Sequence, residues 1–155
     1  MNDDLQTRVE ALEQRVAALE GRPSPGARES SGGLVEYSGR LREPAELEWS
    51  ISVDPAQVLD LPDAPRTDVL AALGHPVRAA VVRQLAESGP CAAAALQEAA
   101  GLGSTGQLYH HLKSLTGCGL VEQDKRGSYR LRPQAAIPAL VLLTAASDVA
   151  GQLRS

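Results

Sequence analysis

Short hydrogen-bonding side chains cluster between residues 104 and 114, at positions that a helix would turn away from its core. The outward side would carry Gln107, His110 and Lys113. Because base edges in the DNA major groove are read by hydrogen-bond donors and acceptors, this pattern predicts a helix that reads DNA. An ordinary solvated helix face is the alternative interpretation. The inward side is predicted from three leucines at spacings of four and three, namely Leu108, Leu112 and Leu115.

The polar residues of this helix have distinct predicted roles. Gln107 would donate to and accept from adenine, and His110 would donate to a base or a phosphate. Tyr109 lies on the flank, where packing and phosphate contact are equally expected, so it is included among the DNA contacts. His111 lies nearer the core and is predicted to be a hydrogen-bonded structural histidine. The remaining predicted contacts would hold phosphate: Ser104, Thr105 and Lys113.

A short hairpin with a basic tip follows the helix. The segments LVEQ and SYRLR read as two strands, and the turn between them ends in a glycine and exposes Lys125 and Arg126. Alternation places Arg130 and Arg132 on the same face of the second strand, which predicts a continuous basic strip. Ordinary surface charge is the alternative. The hairpin is interpreted as a wing that grips phosphate through Lys125, Arg126 and Arg130.

These patterns together resemble the arsenic-repressor-type (ArsR) family of winged-helix transcription regulators from bacteria. The residues that carry the resemblance are LGHPVR (73–78), YHHLK (109–113) and GLV (119–121), within a stretch from about Asp68 to Arg132. Gln97 departs from the pattern, which has a small residue there. The family's Cys-x-Cys metal site would fall near Ala92 and Ala94, which cannot ligate metal. The resemblance therefore implies DNA binding without metal sensing, and no metal or cofactor is expected.

The charge distribution supports a nucleic-acid role for the middle of the chain. The formal net charge is -4, but residues 1–63 carry 6 Arg and Lys against 13 Asp and Glu, whereas residues 66–132 carry 8 against 5.

The longest apolar run, 135–146, is too short to span a bilayer, and no signal peptide is evident, so a cytoplasmic protein is expected. No Ser/His/Asp, P-loop or paired-carboxylate arrangement stands out in the sequence, so an enzyme is not expected.

The N-terminal residues 1–21 show a heptad pattern that predicts a parallel two-stranded coiled coil. An amphipathic helix packed on its own domain is the alternative. Just over two heptads form a marginal coiled coil, so it would reinforce a dimer formed elsewhere. Residues 22–33 are rich in Pro, Ser and Gly and predict a flexible linker. The predicted dimer contacts of the coiled coil are Leu5, Val9, Leu12, Val16 and Leu19.

Residues 34–65 predict a β-hairpin and a short helix. Leu47, Trp49, Ile51 and Val53 alternate with polar residues, as in a half-buried strand. Because a lone hairpin is marginally stable in water, its apolar face must dock. The winged-helix body, a partner subunit and a regulatory partner are all open as docking surfaces.

The C-terminal residues 134–155 predict a dimerisation helix, from about Ile137 to Leu153. This helix is apolar nearly all the way round and therefore needs burial on more than one side. Ile137, Leu140 and Val141 are its predicted dimer contacts.

The sequence thus predicts a mainly α fold with a small β component, in which residues 66–133 form a winged helix-turn-helix domain. The predicted function is that of a homodimeric DNA-binding transcription regulator, most simply a repressor, with double-stranded DNA and a second copy of the chain as partners. Two alternatives are a protein-interaction module built on a winged-helix scaffold and a regulator that responds to an unidentified small molecule or protein. The target DNA sequence and the effector cannot be named from the sequence.

Overall fold

A computed structural model describes residues 32–154 of the chain. Helices predominate, and the strands form two small antiparallel sheets, which confirms the mainly α fold. In chain order the elements are β1 (Val35–Leu41), β2 (Leu47–Val53), α1 (Pro55–Leu59), α2 (Asp63–Leu73), α3 (Pro76–Ser88), β3 (Cys91–Ala92), α4 (Ala93–Ala99), α5 (Thr105–Gly117), β4 (Val121–Lys125), β5 (Ser128–Leu131) and α6 (Pro133–Val149).

The hydrophobic core lies where α3, α4 and α5 pack together. The three leucines of α5 that the spacing turned inward are at most 2% exposed, so the predicted orientation of this helix is confirmed. Removing such apolar side chains from water is the dominant stabilising term of the fold. The largest fully buried side chains are Val81, Val82, Leu85, Leu96, Leu108, Leu112, Leu115 and Val121.

The β1–β2 hairpin is a regular antiparallel pair, from Val35 opposite Val53 to Leu41 opposite Leu47. It lies against α6 of its own chain. The approach is closest at Gly39, where an added Cβ would lie 2.5 Å from Cγ2 of Ile137. Only a residue without a side chain fits there. The β1–β2 hairpin therefore docks on the last helix of its own chain.

The second sheet has the order β3-β5-β4 and includes a strand that the sequence pattern did not reveal. β3 is two residues long and pairs Cys91 with Tyr129 and Ala92 with Ser128. The predicted hairpin of β4 and β5 is present, with a register shift between Gln123 and Lys125. This hairpin is therefore one part of a three-stranded sheet.

Two predicted boundaries differ from those in the structure. The helix α2 begins at Asp63, so the predicted domain boundary between residues 65 and 66 falls inside a helix. Pro65 is accommodated because the first turn of a helix needs no backbone N–H donors. The last helix likewise begins earlier, with Pro133 as its first residue, and it ends at Val149.

The predicted coiled coil of residues 1–21 and most of the predicted linker lie outside the described residues. Between residues 32 and 154, none of the helices combines the length and apolar character that crossing a membrane requires.

Candidate nucleic-acid interface

The outward face of α5 is formed as the sequence predicted. Gln107, His110 and Lys113 are exposed, and Tyr109 is 46% exposed. The helix begins at Ser104, whose hydroxyl accepts a hydrogen bond from the backbone N–H of Gln107 at 3.3 Å. This cap satisfies a backbone donor of the first turn and fixes the direction of the helix. The exposed amide and imidazole are therefore presented on a rigid element.

A side-chain clamp joins α4 to α5. The Gln97 amide nitrogen donates to the carbonyl of Leu102 at 3.2 Å, and its oxygen accepts from the Thr105 hydroxyl at 3.1 Å. Gly101 completes the turn with a φ of +66°, a left-handed conformation that favours glycine. The hydroxyl hydrogen of Thr105 is thus used within the turn, although the residue as a whole is exposed. Gln97 departs from the family pattern in the sequence, but nothing in the sequence indicated its hydrogen bond with Thr105.

The wing is fixed to the same helix pair through its inner strand. The backbone N–H of Ala93, the first residue of α4, donates to the carbonyl of Gly127 at 2.9 Å. The hydroxyl of Ser128 donates to the carbonyl of Cys91 at 3.2 Å. Gly127 has a φ of +76°, as the tight turn at the tip requires. The exposed side chains of Lys125 and Arg126 consequently sit on a tip that is anchored close to the start of α4.

The predicted basic strip of Arg130 and Arg132 is paired with acidic side chains. Arg130 contacts Glu122 at 2.8 Å and Asp124 at 3.4 Å, and Arg132 lies 3.8 Å from the other carboxylate oxygen of Glu122. Glu122 stands directly opposite Arg130 because the register shifts between Gln123 and Lys125, and counting pairs outward from the turn would have placed Gln123 there instead. The two positive charges are offset by two negative ones, and the tip is the less compensated part of the wing.

His111 occupies a half-buried position against His75, with ring centroids 4.7 Å apart. Burial, followed by the charges of His75, Arg78 and His110, lowers the pKa of His111, because each disfavours the imidazolium. Its Nδ1 atom is buried and lacks a hydrogen-bond partner. The histidine is near the core as predicted, but the predicted hydrogen bond is missing at Nδ1.

The predicted dimer contacts of the last helix have different surroundings. Ile137 is 3% exposed and packs against Gly39 within the chain. Leu140 borders a cavity inside the same chain. Val141 is half-buried, and the exposed Ala145 and Val149 follow it at spacings of four. These three residues share one side of the helix, which leaves an apolar stripe available to a partner.

Residues 73–124 match the model of a family described as a helix-turn-helix domain. This span begins at the end of α2 and closes within β4, so it contains α3, the α4–α5 pair and the first strand of the wing. The chain contains a helix-turn-helix domain. With the β4–β5 hairpin following α5, the helix-turn-helix domain is of the winged type that the sequence predicted.

Several solved structures are similar to the helix-turn-helix domain and its surroundings. The winged helix-turn-helix DNA-binding domain of Mb0332 from Mycobacterium bovis, described as homodimeric and as a possible ArsR-family transcriptional regulator, is 26% identical, with a TM-score of 0.48, over 64% of this chain and 92% of that one. NolR from Sinorhizobium fredii is 22% identical, with a TM-score of 0.48, over 63% and 93% of the two chains. The transcriptional repressor BigR from Xylella fastidiosa is 26% identical, with a TM-score of 0.48, over 61% and 94%. No curated protein matches the chain.

Proposed function

We propose that this protein is a DNA-binding transcription regulator, most simply a repressor, that acts as a homodimer. The observation that carries the proposal is the exposed face of α5, where Gln107 and His110 stand on a capped helix that is clamped to α4. A helix of this kind docks in the major groove and reads base edges through directed hydrogen bonds. The helix-turn-helix match over residues 73–124 supports the same conclusion.

The wing holds the DNA backbone beside this helix. Lys125 and Arg126 contact phosphate from the tip, and Ser104 and Lys113 contact it from the two ends of the recognition face. Arg130 also contacts phosphate but contributes less to DNA affinity, because Glu122 and Asp124 already pair with its guanidinium. Contacts of this type position the protein and give affinity, whereas sequence preference comes from the helix.

The second copy of the chain docks on the last helix. Val141, Ala145 and Val149 form an apolar stripe on the side of α6 that the hairpin leaves free, and Val149 is 88% exposed. Burial of such a stripe against its own counterpart gives an interface with twofold symmetry. The predicted coiled coil of residues 1–21 reinforces this dimer.

A gel-shift titration against random genomic fragments at several salt concentrations tests the proposed function. Phosphate-driven binding must weaken steeply as salt rises. Selected fragments should contain two half-sites about 10 base pairs apart, or a multiple of this, as a twofold dimer requires. Gln107→Ala should weaken binding by roughly 1–3 kcal/mol per half-site and relax the preference at one base position. The matched control is Gln57→Ala, which alters an exposed glutamine on α1.

The rival function, a protein-interaction module on a winged-helix scaffold, is favoured by the acidic N-terminal residues and by the single lysine of the recognition helix. It makes the opposite prediction. Under it, neither Gln107→Ala nor a change of salt would alter binding to DNA, because no specific complex would form.

A further inference from the structure

A cavity of about 160 Å³ lies between the β1–β2 hairpin and the helix-turn-helix domain. Four parts of the fold line it: the hairpin loop with the adjoining strand ends, the end of α3, the strand β5 and α6. Its walls are almost entirely hydrocarbon, and they include Leu41, Leu47, Leu85, Leu131 and Leu140. Atoms that line a space of this kind have no packing partner on one side, so filling it with apolar atoms is favourable.

The position of Gly89 shows that the cavity is bounded by close contact. Gly89 has a φ of +73°, and an added Cβ would lie 2.9 Å from the Cβ atom of Pro44 in the hairpin loop. The loop therefore touches the turn after α3 directly, and the space remains beside this contact. Close packing at the rim combined with space inside is a geometry that holds a small guest.

Size and polarity define the chemical class of that guest. An apolar cavity of about 150 Å³ is large enough to bind benzene. The one charged residue that lines the cavity is Arg130, and its guanidinium already pairs with Glu122 and Asp124, so it has little unmatched charge to offer an anion. A charged ligand would also lose its hydration among leucines. The cavity fits a neutral, mainly apolar molecule of about the size of a single aromatic ring.

One wall of the cavity is formed by β5, a strand of the wing. Leu131 of β5 is 9% exposed and faces the cavity, and its neighbour Arg130 lines the same wall while it pairs with the acids of β4. A guest that moves this wall must also move the strand that positions the wing tip. Occupancy of the cavity and the geometry of Lys125 and Arg126 are therefore linked through one short strand.

We propose that this cavity is an effector site for a neutral, ring-sized apolar molecule and that its occupancy lowers the affinity of the wing for DNA. The second half of the proposal rests on the proposed DNA-binding function. The first half, binding itself, depends only on the cavity. Toluene is a suitable probe, and benzoate of similar size is the charged counterpart.

Binding is measured by NMR of leucine methyl groups in the full-length protein. Toluene should produce saturable shifts at Leu41, Leu85 and Leu140, whereas the exposed Leu59 should not respond. Ala86→Leu fills the cavity from α3 and should weaken toluene binding about tenfold or more, a loss of about 1.4 kcal/mol. Ala136→Leu fills it from α6 and provides a second test if the first variant does not fold.

The matched control is Ala56→Leu, which enlarges an exposed alanine of α1 and should leave the toluene affinity unchanged. The site is disproved if toluene gives no saturable shifts in the wild type, or if folded filling variants bind it as well as the wild type does. Benzoate binding as tightly as toluene would disprove the neutral class.

The link to DNA is measured with the same protein in the gel-shift titration. Saturating toluene should weaken DNA binding about fivefold or more in the wild type and have no effect in Ala86→Leu. Unchanged affinity would overturn the link while the NMR result still stands. Absence of any DNA complex without toluene would instead count against the proposed function, so the two failures are distinguishable.

Discussion

Residues 32–154 contain two β-hairpins, and both carry an arginine near the tip and an Arg–Glu pair across the strands. In β1–β2 the pair is Arg40 with Glu48 at 2.9 Å, and both side chains are more than 60% exposed. In the wing, Arg130 and Glu122 are 2.8 Å apart and less than half exposed, and Asp124 and Arg132 join them. The same type of ion pair is thus exposed to water in the β1–β2 hairpin and belongs to a partly buried network in the wing.

The two hairpins are also attached differently. The wing continues into a third strand, and backbone hydrogen bonds tie it to the start of α4. The β1–β2 hairpin is a separate two-stranded sheet that is held by side-chain packing on α6 around Gly39 and Ile137. A hairpin held by packing depends on a few side chains, whereas one held by a backbone ladder tolerates more substitutions. The predictions below separate these two kinds of attachment.

The largest expected effect is that of Ile137→Ala. Removing this 3% exposed side chain eliminates its burial and leaves a cavity under the hairpin, which should destabilise the protein by about 2–5 kcal/mol. Urea denaturation measures the destabilisation. Trp49, the single tryptophan, lies beside Ile137 and should show red-shifted emission in the native state. Leu131→Ala should destabilise the protein through the wing and leave this emission unchanged. Native Trp49 emission that is identical in all three proteins would contradict the proposed attachment.

Much of the helix-turn-helix part was predictable, because its residues obey local rules. The leucine spacing of α5 fixed which side is buried, and the glycine and charges after it indicated the wing. What could not be predicted depends on contacts between distant segments. Cys91 and Ala92 form a strand only because β5 lies beside them, and two residues are too few for any periodicity.

The same distinction applies to Ile137 and Arg130, whose neighbours within the chain the sequence patterns did not indicate. An apolar helix indicates burial but does not identify the partner, so Ile137 was assigned to a second subunit although the hairpin covers it. Arg130 was assigned to DNA from the alternation of a single strand. Its actual neighbours follow from the register of two strands, which includes a shift between Gln123 and Lys125. Single-strand patterns give the face of a residue but not its partner.

The next expected effect separates the two tips in DNA binding. Arg126→Ala should weaken binding to all sequences alike and reduce the slope of log affinity against log salt by about 1 for each phosphate that the variant no longer neutralises. Arg42→Ala removes an exposed arginine from the other hairpin tip and is the matched control. Its slope should equal that of the wild type. If the slope falls equally in the two variants, general charge and not the wing accounts for the binding.

A smaller effect separates the two cross-strand pairs. Arg130→Gln removes the cation between Glu122 and Asp124 and leaves two half-buried carboxylates facing each other. A destabilisation of about 0.5–1 kcal/mol is expected, since several charges share the network. Arg40→Gln breaks a pair that water surrounds, and its urea midpoint should match that of the wild type. Equal destabilisation of the two variants would show that the network adds nothing beyond an ordinary surface pair.

The smallest expected effect is the loss of stability at low pH. It should arise in the winged helix-turn-helix part and not in the β1–β2 hairpin. All three histidines lie in the winged helix-turn-helix part, and none lies in the β1–β2 hairpin. The lowered pKa of His111 means that the folded state resists its protonation, whereas the unfolded chain binds the proton near the ordinary value of about 6.5. Below that pH the unfolded state holds more protons, so the free energy of unfolding must fall as the pH falls.

Urea denaturation between pH 8 and pH 5.5 measures this dependence. Stability should be constant well above about pH 6.5 and decline below it, and His111→Gln should remove most of the decline. His110→Gln changes the exposed neighbour on the recognition face and should retain most of the wild-type decline, because the charge of His110 is the smallest of the causes that lower the pKa of His111. Because the ring is only half-buried and solvent screens its neighbours, the decline should be modest. A decline of the same size in His111→Gln would contradict the assignment of this pH dependence to His111.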